Sequence, residues 1–223
     1  MPFQDNKVEL VGWYGGDETH ALSAWTSTSR DLTDQKRGRI PNLLKMLAEN
    51  GHETPFEKSS LHFLVTVDTA THIHLLKHRI GVSINGESAR YKELRDDKYF
   101  LPDDWSLEEK AKYIAFMEDA LMRYHECLER LVESGMSRKR AKESARFYLP
   151  YGNQVTMDIM FNWRSFAHFL GLRMKPDAQK EVYWLAEEML QQVRAIPGDP
   201  FEHTVAAFGH QAHVVKEHFE PPY

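Results

Sequence analysis

The hydrophobic period changes along the chain, and that change limits the folds open to it. In LHFLVTV, residues 61–67, Leu61, Phe63, Val65 and Val67 alternate. Period two places all four on one side of a half-buried strand. Elsewhere the apolar residues mostly recur at helical spacing. Ile40, Leu43, Leu44 and Leu47 predict a helix over Ile40–Ala48, with Pro41 in its first turn and Gly51 just past its end. Ser106 and Glu109 form a capping box that opens the longest helix, and Gly135 closes it. Leu121, Tyr124, Leu128, Leu131 and Val132 make the apolar stripe of that helix. Further helices are predicted at about 71–77, at 137–147, and at 162–172 and 176–194, the last two separated by Lys175-Pro176. Near the N-terminus VELVGWY, followed by Gly15-Gly16, reads as an edge strand and turn. Strand, helix, strand and then mostly helices describes an α+β fold: a mostly antiparallel sheet flanked by several helices, in a single domain over residues 1–223.

Size, at 223 residues, agrees with one well-packed domain, or at most two small ones. Lys plus Arg number 28 against 33 for Asp plus Glu, a formal charge of −5. That balance excludes a protein that holds nucleic acid by bulk positive charge, so an anionic ligand needs a local basic pocket. No apolar run approaches the ~20 residues that span a bilayer, and MPFQDNKVEL lacks the apolar centre of a signal peptide. A cytoplasmic location without membrane contact is expected. The lone cysteine, Cys127, rules out an internal disulfide framework and any CxxC motif. Next to the apolar stripe, it reads as a small packed side chain.

Two segments concentrate chemistry. KHRIGVSINGESARY, residues 77–91, carries Lys77, His78, Arg79 and Arg90 as cations, Ser83, Asn85 and Ser88 as donors, and two glycines that admit a close ligand. Ile80, Val82, Ile84 and Ala89 alternate with those donors, which suits a partly buried anion-binding loop better than a solvated surface turn. The second segment runs from Ala145 to Gln179. If Asn162 caps its helix, then Asn162, Phe166, Phe169 and Arg173 share a face, with about 16 Å between the polar ends. Two readings stay open. The face binds an extended ligand, or the aromatics are core and Arg173 complements a helix C-terminus.

Twelve histidines raise a metal site. His72 with His74, His74 with His78 and His210 with His213 have usable spacings, yet no HExxH motif occurs and Lys77 and Arg79 would repel a cation. No metal is expected. The run SRKRAKESAR, residues 137–146, reads as a solvated basic helix face rather than an RNA contact.

The segment HRIGVSINGESARY resembles the signature of flavin-dependent thymidylate synthases, an Arg-His-Arg triplet followed after seven residues by Ser, a small residue, Arg and Tyr. HETPFE at 52–57, ARFYLP at 145–150, and NWRSFAHFLGLR at 162–173 followed by AQ at 178–179 fit the same family in the same order. The resemblance implies reductive methylation of dUMP to dTMP at C5. Methylenetetrahydrofolate would donate the carbon, NADPH would be the reductant, and FAD would pass the hydride. It assigns His52, Thr54, Glu57, Lys77, His78, Arg79, Ile80, Asn85, Asn162, Arg164, His168 and Leu172 to FAD. It assigns His74, Glu87, Ser88, Ala89, Arg90, Arg146 and Arg173 to dUMP, with Arg173 also catalytic. It further implies a homotetramer with active sites between subunits.

The chain departs from the pattern at several points. Lys77 replaces the first Arg and loses its planar fork. Eight residues separate Arg79 from Ser88, so the loop must bulge within Ile80–Ser83. Asn85-Gly86-Glu87-Ser88 shifts the carboxylate by one place, and His74 stands where many members have Gln. Two readings from other classes compete: a histidine-based metal-dependent hydrolase, and a non-enzymatic nucleotide- or RNA-binding protein.

Overall fold

The computed structural model describes residues 5–88 and 98–209. Its strands are β1 (Lys7–Tyr14), β2 (Ser60–Asp68), β3 (Val82–Gly86) and β4 (Gln154–Phe161). They form one antiparallel sheet in the order β1-β2-β4-β3, with β1 at an edge as its composition predicts. The helices are α1 (Asp17–Trp25), α2 (Asp34–Arg37), α3 (Ile40–Glu49), α4 (Thr69–Leu75), α5 (Leu107–Glu133), α6 (Arg138–Ala145), α7 (Trp163–Arg173), α8 (Lys180–Arg194) and α9 (Glu202–Ala207). Short 3-10 turns cover Thr54–Glu57 and Arg146–Tyr148.

The period-two reading of β2 holds: Leu61, Phe63, Val65 and Val67 are all fully buried. Two strands were not anticipated. Val82–Gly86, expected as a loop, is β3, and Gln154–Phe161, inside the second chemical segment, is β4. In β4 Met157, Ile159 and Phe161 alternate inward, a period-two signal present in the sequence but embedded in the polar second segment. The helix predicted at 176–194 starts later, at Lys180.

Two compact units divide the fold, and each sheet strand contributes residues to both. The first comprises Met1–Lys7, Val65–Leu75 and Asn85–Met157; the second comprises Val8–Leu64, Leu76–Ile84 and Asp158–Tyr223. In the first unit α5 packs on α6 through Tyr124, Leu128, Ala141 and Ala145, with Cys127, Leu131 and Val132 beside them. Cys127 is thus a packed side chain, as its position predicts. The basic face of α6 is solvated and pairs Arg138 with Glu129 at 3.1 Å and Arg140 with Glu143 at 3.5 Å.

Aromatic rings build the core of the second unit. Phe63 stacks on Phe166 with centroids 5.7 Å apart, Phe161 meets Phe169 at 5.4 Å, and Trp163 stacks on Phe201 at 5.4 Å. Burying one such side chain contributes about 1.5–3 kcal/mol. At the start of α1, Gly16 is required by space as well as by its φ of 139°. A Cβ there would lie 2.3 Å from the Pro200 carbonyl oxygen, which accepts the Asp17 N–H at 2.7 Å. Asp17 then accepts the backbone N–H groups of His203 and Thr204 at 2.9 and 2.8 Å, capping α9 from a distant part of the chain.

Candidate active site

Helix α7 organises the site within the second unit. Asn162 has extended backbone angles and its Oδ1 accepts the Ser165 N–H at 2.9 Å, so the predicted cap is formed. Ser165 Oγ donates to the Gly81 carbonyl at 2.8 Å, which ties the signature segment to the first turn of α7. Gly81 sits at φ +69°, and a Cβ there would approach Asn162 Nδ2 to 2.8 Å. The chain therefore turns at Ile80-Gly81, within the stretch where the additional residue demands a bulge.

Arg164 projects from the same turn between two carboxylates. Its Nε lies 2.6 Å from Glu53 and its Nη1 donates to Glu57 at 2.6 Å. The Glu57 hydrogen bond, together with the Glu53 charge, lifts the Arg164 pKa above the ordinary guanidinium value. Around this cluster lies a cavity of about 800 Å³, toward the upper end of ligand-site volumes. Arg164, Glu57, Asn162, Ser165, His168 and Lys175 supply its polar lining, while Ile80, Leu172, Met174 and Phe208 supply its apolar lining. Size, mixed lining and a backbone kept bare at Gly81 fit a flavin dinucleotide.

Six residues assigned to FAD line this cavity: Glu57, Ile80, Asn162, Arg164, His168 and Leu172. His52, Thr54, Lys77, His78 and Arg79 belong to the same unit but not to its lining, and Asn85 lies on β3 in the first unit. Sequence reasoning missed Glu53, Ser165 and Lys175. Glu53 stands inside HETPFE and Ser165 three residues after a cap residue, so both carried a readable signal; Lys175 was read only as a helix interruption.

At the other end of α7, Arg173 Nε donates to His78 Nε2 at 2.9 Å. His78 is buried, with its ring edge-on to Phe169 at 5.0 Å and 6.4 Å from the His168 ring. Phe166 and Phe169 are fully buried. The shared face of Asn162, Phe166, Phe169 and Arg173 thus resolves in favour of core aromatics, and Arg173 is bonded to a specific side chain rather than only complementing a helix end.

The remaining dUMP candidates lie in the first unit. His74 is in the last turn of α4 and Arg146 is exposed at the end of α6. Glu87 is tied to β4: its N–H donates to the Thr156 carbonyl at 2.8 Å and one carboxylate oxygen accepts the Thr156 N–H at 3.1 Å. Ser88 follows it, while Ala89 and Arg90 lie outside the described residues. His72 is half-buried and its pKa is lowered by burial. Among the described residues no three His, Cys, Asp or Glu side chains group to hold a metal, and His210 and His213 lie outside them.

The family described as "Thymidylate synthase complementing protein" matches residues 9–197, which contain all four motifs. The chain belongs to this family. Among its curated relatives, the flavin-dependent thymidylate synthase of Pseudothermotoga lettingae is 30% identical over 85% of this chain and 85% of its own length. That of Streptomyces avermitilis is 29% identical over 83% and 85%. A crystal structure of the UMP/dUMP methylase PolB from Streptomyces cacaoi, bound with 5-Br dUMP, matches with a TM-score of 0.77 at 28% identity, covering 94% of this chain and 97% of that one. Membership of this thymidylate synthase family disfavours the metal-dependent hydrolase and the non-enzymatic binding protein.

Proposed function

We propose that the protein is a flavin-dependent thymidylate synthase that methylates C5 of dUMP. Methylenetetrahydrofolate supplies the carbon and NADPH the reducing equivalents. The observation that carries this reading is the convergence of motif residues distant in sequence on one cavity. Glu57 comes from HETPFE, Ile80 and Gly81 from the signature, and Asn162, Arg164, His168 and Leu172 from the α7 motif.

FAD, when bound, supplies the hydride chemistry that no side chain can perform. The chain's own residues bind and orient. Glu53 and Glu57 hold the Arg164 guanidinium at the cavity wall. Asn162 and Ser165 fix the Gly81 backbone beside it. Arg173 is assigned to the uracil edge, where its guanidinium stabilises negative charge developing on the ring as C5 becomes nucleophilic. Arg146 and Arg90 are assigned to the 5′-phosphate through charge-assisted hydrogen bonds, with Ser88 as a further donor. His74, Glu87 and Ala89 complete the nucleotide set, and the motif residues His52, Thr54, Lys77, Arg79 and Asn85 the flavin set.

A homotetramer with shared active sites accompanies this reading, and the whole chain acts in it as one domain. Val11, Trp13, Leu64 and Met160 support association, since all four stay at least 40% exposed on strands of the second unit. No described helix is long and apolar enough to cross a membrane, and a cytoplasmic enzyme fits that.

The test begins with an absorbance spectrum of the purified protein and chromatography of the chromophore released on denaturation. FAD, followed by NADPH oxidation that depends on both dUMP and methylenetetrahydrofolate and yields dTMP, is the expected result. Colourless protein that takes up no added FAD overturns it. Because PolB is a UMP/dUMP methylase, a parallel UMP arm decides whether this site reads the 2′-position.

A further inference from the structure

We propose that His78 is a positioning residue for Arg173: its buried Nε2 accepts the Arg173 Nε–H and aims the guanidinium. The inference rests on the proposed function for the role of Arg173, and departs from the resemblance on that of His78.

The geometry carries it. His78 is 7% exposed and is not among the residues lining the cavity, whereas its sequence neighbour Ile80 and its ring neighbour His168 both are. Its ring is wedged edge-on against Phe169, itself fully buried in the aromatic core of the second unit. The rotation of the imidazole is thereby set by a rigid neighbour. From that position Nε2 meets Arg173 Nε at 2.9 Å, close to the modal length of an N–H hydrogen bond. Arginine can only donate, so Nε2 must be the unprotonated acceptor, and a neutral imidazole then carries its proton on Nδ1.

The atom used on the arginine matters. Nε lies at the inner edge of the guanidinium plane, so anchoring it orients the plane and leaves both terminal NH2 groups to donate elsewhere. An arginine at a helix C-terminus on a long flexible stem would otherwise sample many rotamers, and misplacing a charge-stabilising group by about 1 Å costs about 10²-fold in rate. One imidazole thus turns a mobile cation into a directed one. The sequence hid this link, because 95 residues separate the partners.

The test is a double-mutant cycle on the full-length protein, with flavin content and dUMP-dependent turnover measured separately. H78L keeps bulk but removes the acceptor; H78Q places an amide oxygen near the position of Nε2. Expected results are FAD content within twofold of wild type in both variants, a fall of about 10²-fold in kcat for H78L, and recovery to within about tenfold for H78Q. Added to R173A, H78L should cost no more than about twofold further, because the residue it positions is already gone. Loss of FAD in H78L with turnover restored by excess FAD would make His78 a flavin contact and overturn the proposal. So would an equal cost of H78L with and without Arg173. Should H78L fail to fold, H78Q and 15N spectra of histidine carry the test. The His78 Nε2 resonance should be that of an unprotonated, hydrogen-bonded nitrogen that shifts in R173A, and an Nε2-protonated signal would overturn the proposal. Absence of FAD or of dUMP turnover in the wild-type protein would instead bring down the proposed function, so the two failures are distinguishable.

Discussion

The α5–α6 pair of the first unit and α7 of the second are helices specified in different ways. In α5 and α6 the instructions are local. Ser106 and Ser137 accept the N–H groups of Glu109 and Arg140, three residues on. Asp119–Arg123 and Glu126–Arg130 pair one turn apart on the exposed face of α5. One small core of Tyr124, Leu128, Ala141 and Ala145 joins the two helices. Helix α7 keeps only its Asn162 cap local. Trp163, Phe166, Ala167, Phe169 and Leu170 are buried, and its polar residues bond Gly81, Glu53, Glu57 and His78 from far along the chain. A helix held by distant partners can present a guanidinium at each end in a fixed direction, whereas one held by its own neighbours cannot.

That contrast is broken or sharpened by a graded set of measurements. The largest expected effect is on the aromatic core: Phe161→Ala should cost about 3–5 kcal/mol in urea unfolding, and a loss under 1 kcal/mol would mean the second unit is not held by its rings. Next, Arg173→Ala should lower dUMP-dependent turnover by about 10²–10³-fold with flavin content kept; near-normal turnover would remove its assigned role.

An intermediate effect comes from the buried polar pair that ties α1 to α9. His20 Nδ1 lies 3.0 Å from Thr204 Oγ1, and burial lowers the His20 pKa to about 4. With a folded pKa below the ordinary value of about 6.5, the native state binds fewer protons than the unfolded chain in that window. Its contribution is complete above the unfolded value and is lost as pH falls toward the folded one, by about 2 kcal/mol between pH 7 and pH 5. The neighbouring Asp17, raised by burial, works in the opposite direction at the acidic end. His20→Gln should flatten the acid limb of a plot of unfolding free energy against pH, and an unchanged limb would exclude His20 as its source.

Smaller effects remain. Arg164→Ala leaves Glu53 and Glu57 facing an anionic cofactor without their shared cation, and flavin binding should weaken about tenfold in a titration, close to 1.4 kcal/mol. Smallest of the set, Ser106→Ala should cost about 1 kcal/mol by loss of a local cap, without touching flavin content. A Ser106 effect on flavin content would dissolve the distinction between local and distant specification.

Much of the fold was legible because its signals are short-range. The alternation of Leu61 to Val67 gave β2, the Gly15-Gly16 turn gave the edge strand, and caps with apolar spacing gave α3, α5, α6 and α7. Strand β4 was readable in Met157, Ile159 and Phe161 but was embedded in the polar second segment. At the site, the motifs pointed to Asn162, Arg164, His168 and Leu172, but no periodicity separates Phe169 as a core ring from Phe169 as a ligand platform. Glu53 and Ser165 stand in or beside readable motifs, but their partners Arg164 and Gly81 are more than 80 residues away in each case.

By itself the sequence determined the helix and strand periods and the caps, which depend on residues within a few turns of one another, and the acidic charge balance and the order of the four motifs, which need no contact to be read. Only the tertiary structure decided that Phe166 and Phe169 are core, that Arg164 is neutralised by two glutamates, and that Arg173 is anchored on His78. Such pairings depend on which distant backbones meet at hydrogen-bonding distance, and burial makes them stringent: an unpaired polar group inside the protein costs about 1–3 kcal/mol, so once the chain has packed, few partners remain.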